Sequence, residues 1–293
     1  MIITNIIGGL GNQMFQYAAG RALSLKRGQP FRLDVAGFAD YGLHHGFELQ
    51  RVFDCSAEIA TETEVRSILG SQFSSVIRRA VSRPAFTFFR RDGFVIEPHF
   101  DYWPGINDVP QNCYLSGYWQ SEKYFKNVAE VIRNEFTFKS PLASQNAEIA
   151  QKISEVRAVS LHVRRGDYAK NSKTTAMHGL CSLDYYREAI QYVSVHVEQP
   201  YFFIFSDDIA WVKSNLKIDF PCQYVDHNHG SQSYNDMHLM SLCQHHIIAN
   251  SSFSWWGAWL NRSPNKIVIA PLKWFASKQK STRDLIPTSW LSL

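Results

Sequence analysis

The chain has 293 residues, 45% of them hydrophobic and 19% charged. That balance excludes wholesale disorder and leaves room for two domains of ordinary size. A formal charge of +4 suits a small anionic ligand and falls far short of a continuous basic face, so no nucleic-acid partner is expected.

Residues 2–7 read as a buried first strand. No basic region precedes them, so a signal peptide is not expected. No window holds about 18 uninterrupted apolar residues, as a membrane span would need. Five cysteines, an odd number without CxxC or zinc-type spacing, point to free thiols in a reducing compartment. A cytoplasmic protein is the resulting expectation. The glycine turn Gly8-Gly9-Leu10-Gly11 leads into a helix over 12–26 and a second strand over 31–35. This order opens a doubly wound α/β domain. Residues 36–110 hold short helical and irregular pieces among scattered Gly, Pro and aromatics. A strand is expected over 114–119 and a helix over 121–137. Lys139-Ser140-Pro141 breaks the chain, which divides it into domains of 1–150 and 151–293. A strand–helix rhythm then resumes. Strands are expected over 158–163, 201–205, 246–249 and 266–270, and helices over 182–195, 235–244 and 254–261. Two α/β domains in tandem are the economical architecture.

Three stretches carry chemistry. The first, Gly8 to Gln13, follows a strand and opens a helix. Backbone amides and the helix dipole attract anions at such a turn. With Asp34 at the end of the second strand it invites a dinucleotide reading. Met14, however, occupies the position of the third glycine. The stretch is either a tight structural turn or a ligand loop. The second, HVRRGDY at residues 162–168, sits at the carboxyl end of a strand, where open α/β sheets bind ligands. Arg164 or Arg165 can offer a planar fork to a diphosphate, and a fixed cation there stabilises a departing anion. The other arginine buttresses the loop, with Asp167 as a partner. The third runs from an apolar strand through Asn250-Ser251-Ser252-Phe253-Ser254 into an aromatic helix. Serine hydroxyls and amides at a helix start form a phosphate cradle, and the tryptophans that follow suit a core.

Two acidic sites and one basic segment remain. Asp207 and Asp208 are adjacent, unlike a metal-binding DxD. Asp236, near a helix start, is a dipole partner on its own, although a carboxylate can also accept both N–H groups of guanine's Watson–Crick edge. Residues 75–91 hold Arg78, Arg79, Arg83, Arg90 and Arg91 among phenylalanines, with no acid. They form either a solvated surface element or a patch for anionic lipid headgroups.

Taken together, HVRRGDY resembles the HxRRxD signature of the fucosyltransferase superfamily. GGLGNQMFQY at residues 8–17 and NSSFSWWGAWL at 250–260 are similar to the bacterial branch of glycosyltransferase family 11. The resemblance runs in order from the first strand to about Pro271. It implies a GT-B fold, two Rossmann-like domains facing across a cleft, the C-terminal one for GDP-fucose and the N-terminal one for the acceptor. It implies inverting, metal-independent transfer of fucose to the 2-hydroxyl of a galactose-containing acceptor of O-antigen type, with no cofactor. Arg164 would bind the β-phosphate with Arg165 in support, and His162 would lie near the nucleotide. Asp236 would read guanine, and Ser252, Phe253 and Ser254 would line the diphosphate. Gly9, Gly11 and Asn12 would lie by the donor phosphates, and Asp207 and Asp208 would order the site. For the general base, Asp167, Glu48 and His45 stand as candidates. Such acceptors are often lipid-linked, which would give the arginine-rich segment a peripheral membrane role. The competitors are an NAD-dependent oxidoreductase, resting on the glycine turn and Asp34, and a non-catalytic sugar-binding protein, resting on aromatic content. GDP binding separates both from a transferase.

Overall fold

The computed structural model describes residues 1–39, 45–166, 179–276 and 281–293. The chain divides into two compact units. Unit 1 is Met1–Thr137 with Arg283–Leu285, and unit 2 is Phe138–Thr282 with Ile286–Leu293.

Unit 1 runs β1 (Ile2–Asn5), α1 (Leu10–Arg27), β2 (Phe31–Asp34), α2 (Leu49–Val52), β3 (Glu58–Ile59), α3 (Glu62–Leu69), α4 (Ser75–Val81), β4 (Phe94–Ile96), β5 (Cys113–Ser116) and α5 (Ala129–Glu135). Its described strands form one parallel sheet in the order β3-β2-β1-β5-β4. Helix α1 starts after Gly8, whose φ of +79° suits glycine, and its cap Gly9, and it ends at Gly28 in the left-handed conformation. Within α1, a Cβ on Gly20 would lie 2.1 Å from Thr4 Oγ1 and 2.6 Å from the Phe31 ring. The missing side chain is what lets the helix press on β1 and β2. The helix expected over 121–137 is shorter. Two 3-10 turns, Glu122–Tyr124 and Lys126–Val128, precede α5.

Unit 2 begins with α6 (Gln145–Glu155). There follow β6 (Arg157–Val163), α7 (Leu183–His196), β7 (Pro200–Ser206), α8 (Ile209–Asn215), β8 (Cys222–Val225), α9 (Tyr234–Leu242), β9 (His245–Ile247), α10 (Ser252–Leu260), β10 (Val268–Ala270) and β11 (Leu291–Ser292). The sheet is parallel, in the order β11-β10-β9-β6-β7-β8. Strand alternation separates two cores. Phe202 and Ile204 face α7 and α8 with Val159 and Leu161, while Phe203 and Phe205 face α6 and α9 with Ala158. Trp255, Trp256 and Trp259 are buried as core. Among the described residues, no helix is long and apolar enough to cross a membrane.

Candidate functional site

In unit 2 the sheet steps one way from β6 to β7 and β8, and the other way through β9, β10 and β11. The order reverses between β6 and β9. In open parallel sheets the crevice at that reversal, outside the carboxyl ends of the two strands, is where ligands bind. Both unit 2 motifs lie there. Arg164, Arg165 and Gly166 follow β6, and Asn250 to Ser254 follow β9 into α10. The rings of His162 on β6 and Phe253 on α10 have centroids 6.1 Å apart.

The two arginines are held differently. Arg164 Nη1 lies 3.0 Å from Asp207 Oδ2, and the other carboxylate oxygen of Asp207 accepts the Arg165 backbone N–H at 2.8 Å. One side chain at the end of β7 thus fixes both the cation and the loop. A Cβ on Gly166 would sit 2.5 Å from Asp207 Oδ2, so glycine lets that carboxylate in. Arg165 lies over the Trp211 ring, 3.6 Å from its centroid. Its Nε is 3.8 Å from Asp208 Oδ2, too far for a hydrogen bond. Asp208 caps α8, its Oδ1 accepting from Trp211 N at 3.2 Å. Asp167, expected as an arginine partner or base, lies outside the described residues. His162 is buried, and burial pushes its pKa down to about 4, with Arg164 also lowering it and Asp207 opposing. It is therefore neutral near pH 7.

At the start of α10, Ser251 is the cap, its Oγ accepting from Phe253 N at 3.3 Å. Ser254 is buried and donates to Ser251 O at 3.3 Å. Ser252 and Phe253 are the half-buried residues of this first turn. Asp236, half-buried on α9, accepts from Asn228 Nδ2 at 2.8 Å. Asn228 and Asn146 exchange two amide bonds of 2.9 Å each, and His227 Nε2 lies 2.8 Å from Asn146 Oδ1. Burial raises the Asp236 pKa to about 7, the Asn228 bond opposing. Sequence reasoning missed Asn228, Asn146 and Trp211.

In unit 1 the sheet order reverses between β1 and β5, and the glycine turn lies at that point. Gln120, just beyond β5, donates to Asn12 Oδ1 at 2.7 Å, joining the two loops. Buried Gln13 donates to Gly8 O at 2.9 Å and Gly46 O at 2.8 Å, and accepts Glu48 N at 2.9 Å. It staples the turn to the 46–48 segment. Glu48 is buried and paired with Arg51 Nη2 at 2.5 Å. Burial raises its pKa, with Arg51 and the exposed His45 opposing. The dinucleotide reading finds no free acid, because Asp34 accepts Tyr114 Oη at 2.6 Å and Ala36 N at 3.0 Å. Met14, where that reading needs glycine, is fully buried. Among the described residues, no group of three or more His, Cys, Asp or Glu could hold a metal ion.

Residues 95–293 match the profile of glycosyl transferase family 11. The chain is 35% identical over 295 residues to an Escherichia coli alpha-1,2-colitosyltransferase, covering 100% of this chain and 99% of that protein. It is 35% identical over 306 residues to the E. coli O-antigen biosynthesis glycosyltransferase WbnK, covering 98% of each. Galactoside alpha-(1,2)-fucosyltransferase 1 of Leontocebus fuscicollis is 27% identical over 154 residues, 50% of this chain and 42% of that protein. Among solved structures, NodZ alpha-1,6-fucosyltransferase soaked with GDP-fucose superposes with a TM-score of 0.54 at 16% identity, covering 92% of this chain and 94% of that one. That likeness shows the fold, the GT-B fold expected from the sequence.

Proposed function

The chain belongs to glycosyltransferase family 11, and from that premise we propose that it moves L-fucose from GDP-β-L-fucose to the 2-hydroxyl of a galactoside. The observation that carries the donor side is the Asp207-held Arg164 at the β6–β9 reversal, with the start of α10 as the neighbouring loop. Unit 2 binds the donor and unit 1 the acceptor. The acceptor hydroxyl attacks the anomeric carbon on the face opposite GDP. The bond to the β-phosphate oxygen breaks, its electron pair leaves with GDP, and the anomeric centre inverts from β to α. The transition state has oxocarbenium character. Arg164 and the N–H groups opening α10 stabilise the charge that grows on the diphosphate, so the reaction needs no divalent metal. Arg165 supports the loop, His162 and Phe253 wall the nucleotide, and Asp208 secures α8. Asp236 in its ionised form accepts from guanine. Gly9, Gly11 and Asn12, at the anion-attracting turn that opens α1, are further donor-side candidates. Glu48, whose burial makes it a better base than an exposed carboxylate, ranks with His45 and Asp167 as acceptor of the hydroxyl proton. The natural acceptor is an O-antigen-type precursor on a lipid carrier, with the chain peripheral on the inner face of the membrane.

A second donor deserves a parallel assay, because the 35% identical E. coli relative is a colitosyltransferase. The decisive experiment incubates the protein with lactose, excess EDTA and either GDP-fucose or GDP-colitose, and follows GDP release and glycan formation. Fucosyl-lactose with an α-1,2 linkage by NMR is the expected result. Product only with GDP-colitose would replace the donor sugar. GDP binding without product from either would refute the acceptor, and absence of GDP binding would refute the whole reading.

A further inference from the structure

The arginine-rich segment of unit 1 has features that donor and acceptor chemistry leave unused. Helix α4 and the 3-10 turn Pro84–Phe89 present an apolar surface to solvent. Val76 and Phe88 are each 77% exposed and Phe89 60%. The Phe88 and Phe89 rings lie against each other, centroids 3.8 Å apart and tilted by 34°. Water gives no reason to display such a pair, yet the fold holds it in place. The buried Gln72 donates to Phe89 O at 2.8 Å and accepts Arg91 N at 3.2 Å. A buried amide committed to an exposed loop is an anchor for a presented surface.

The arginines around it do not all face out. Arg78 turns inward, donating to Tyr114 Oη at 3.2 Å. Arg79, Arg83 and Arg91 are exposed. Arg90 and Arg91, with Ser67, Asp92 and Asn112, line a cavity of about 440 Å³. The cavity takes in Gly93 and Asn112, just before β4 and β5, so it lies at the amino ends of strands whose carboxyl-end side carries the glycine turn. Contact there leaves the other end of the unit 1 sheet open.

We propose that this face docks on an anionic lipid bilayer, with Phe88 and Phe89 in the headgroup–acyl boundary, Arg79 and Arg83 on lipid phosphates, and the Arg90–Arg91 cavity holding one headgroup phosphate. Phenyl rings add nothing to the capture of a free phosphate ion. They belong beside arginines at a surface that is both anionic and apolar. Asp92 is the single acid of the cavity, and two arginines outnumber it.

The test is sedimentation of the full chain with vesicles of phosphatidylcholine alone or mixed with phosphatidylglycerol. Binding is expected with the mixed vesicles at low salt, falling with ionic strength. Phe88→Ser with Phe89→Ser, and separately Arg79→Ser with Arg83→Ser and Arg91→Ser, should each weaken it by roughly 100-fold. All five positions are exposed, so melting curves and GDP release with lactose should stay at wild-type values. Equal binding to both vesicle types, undiminished binding by either variant, or full displacement by millimolar inorganic phosphate would overturn the proposal. None of these outcomes depends on which sugar is transferred.

Discussion

Asp207 reaches Arg164 because residue 166 has no side chain. Gly166→Ala would place a Cβ 2.5 Å from Asp207 Oδ2. The carboxylate must shift, and it would release the Arg164 guanidinium and the Arg165 backbone together. Under the proposed function, GDP affinity should fall by roughly 10- to 100-fold, the scale of losing one or two charge-assisted hydrogen bonds. Fluorescence titration with GDP would measure it, and an unchanged Kd would remove Asp207 from the donor site. Asp236 gives a second prediction, in pH. Under the same proposal only its ionised form would accept guanine's N–H groups, and burial raises its pKa to about 7. Roughly a tenth of the sites are competent at pH 6 and nine-tenths at pH 8, so GDP should bind about 10-fold tighter at the higher pH. Asp236→Asn should bind weakly at both. The two proteins showing the same pH profile would dissociate Asp236 from the base. The arginine pair at 164–165 was legible in the sequence as a candidate, because paired arginines before a glycine at a strand end have few structural explanations, but which of the two Asp207 would hold was not. Asn228 was not, because an asparagine in a polar loop carries no periodic or motif signal that says its amide will meet α9.

At the scale of elements, the seating of α1 is a tight constraint in unit 1. A methyl at position 20 would meet Thr4 Oγ1 at 2.1 Å and the Phe31 ring at 2.6 Å, both belonging to buried residues of neighbouring strands. Alanine favours helix over glycine by only about 0.5–1 kcal/mol, whereas overpacking costs about 1–3 kcal/mol. Gly20→Ala should therefore lower the melting temperature by several degrees, at about 2–4 °C per kcal/mol for a chain of this size. A calorimetric midpoint at or above wild type would mean that α1 can lift without loss. The same element explains what was readable. Helix α1 and strands β1, β2, β6 and β7 declare themselves through buried apolar runs and bounding glycines. Helix α6 carries no expectation of its own in the sequence, although Ile149 and Ile153, four apart, are its buried stripe. The signal was present but short, and Lys139-Ser140-Pro141 before it drew attention to a break. Strands β3 and β4, two and three residues long, and the 3-10 turns of 36–110 leave no period to detect. Asp34 sits where a ribose acid would, and only the sheet order, which brings Tyr114 beside it, reassigns it to an internal bond.

At the scale of the whole molecule, the chain leaves unit 2, contributes Arg283–Leu285 to unit 1, and returns to complete the unit 2 sheet with β11. Asp284 secures that excursion. It is buried, accepts Tyr102 N at 3.1 Å and pairs with Lys123, while its own carbonyl accepts Ser121 Oγ at 2.6 Å. Burial acts to raise its pKa, but Lys123, the Tyr102 N–H and Arg283 outweigh it and hold the carboxyl below its ordinary value. A depressed carboxyl pKa stabilises the fold above the unfolded value, near 4, and loses that contribution as pH falls through the folded one. Asp284→Asn keeps the shape and removes the charge. It should cost about 1–3 kcal/mol at pH 7, lowering the melting temperature by several degrees, with the gap to wild type closing as the pH approaches 3. Asp284 is not among the residues proposed for the donor, so GDP affinity measured well below the melting transition should not change. A variant that melts normally at pH 7 would remove Asp284 from the stability of the fold, and one that loses GDP binding while still folded would overturn its purely structural role.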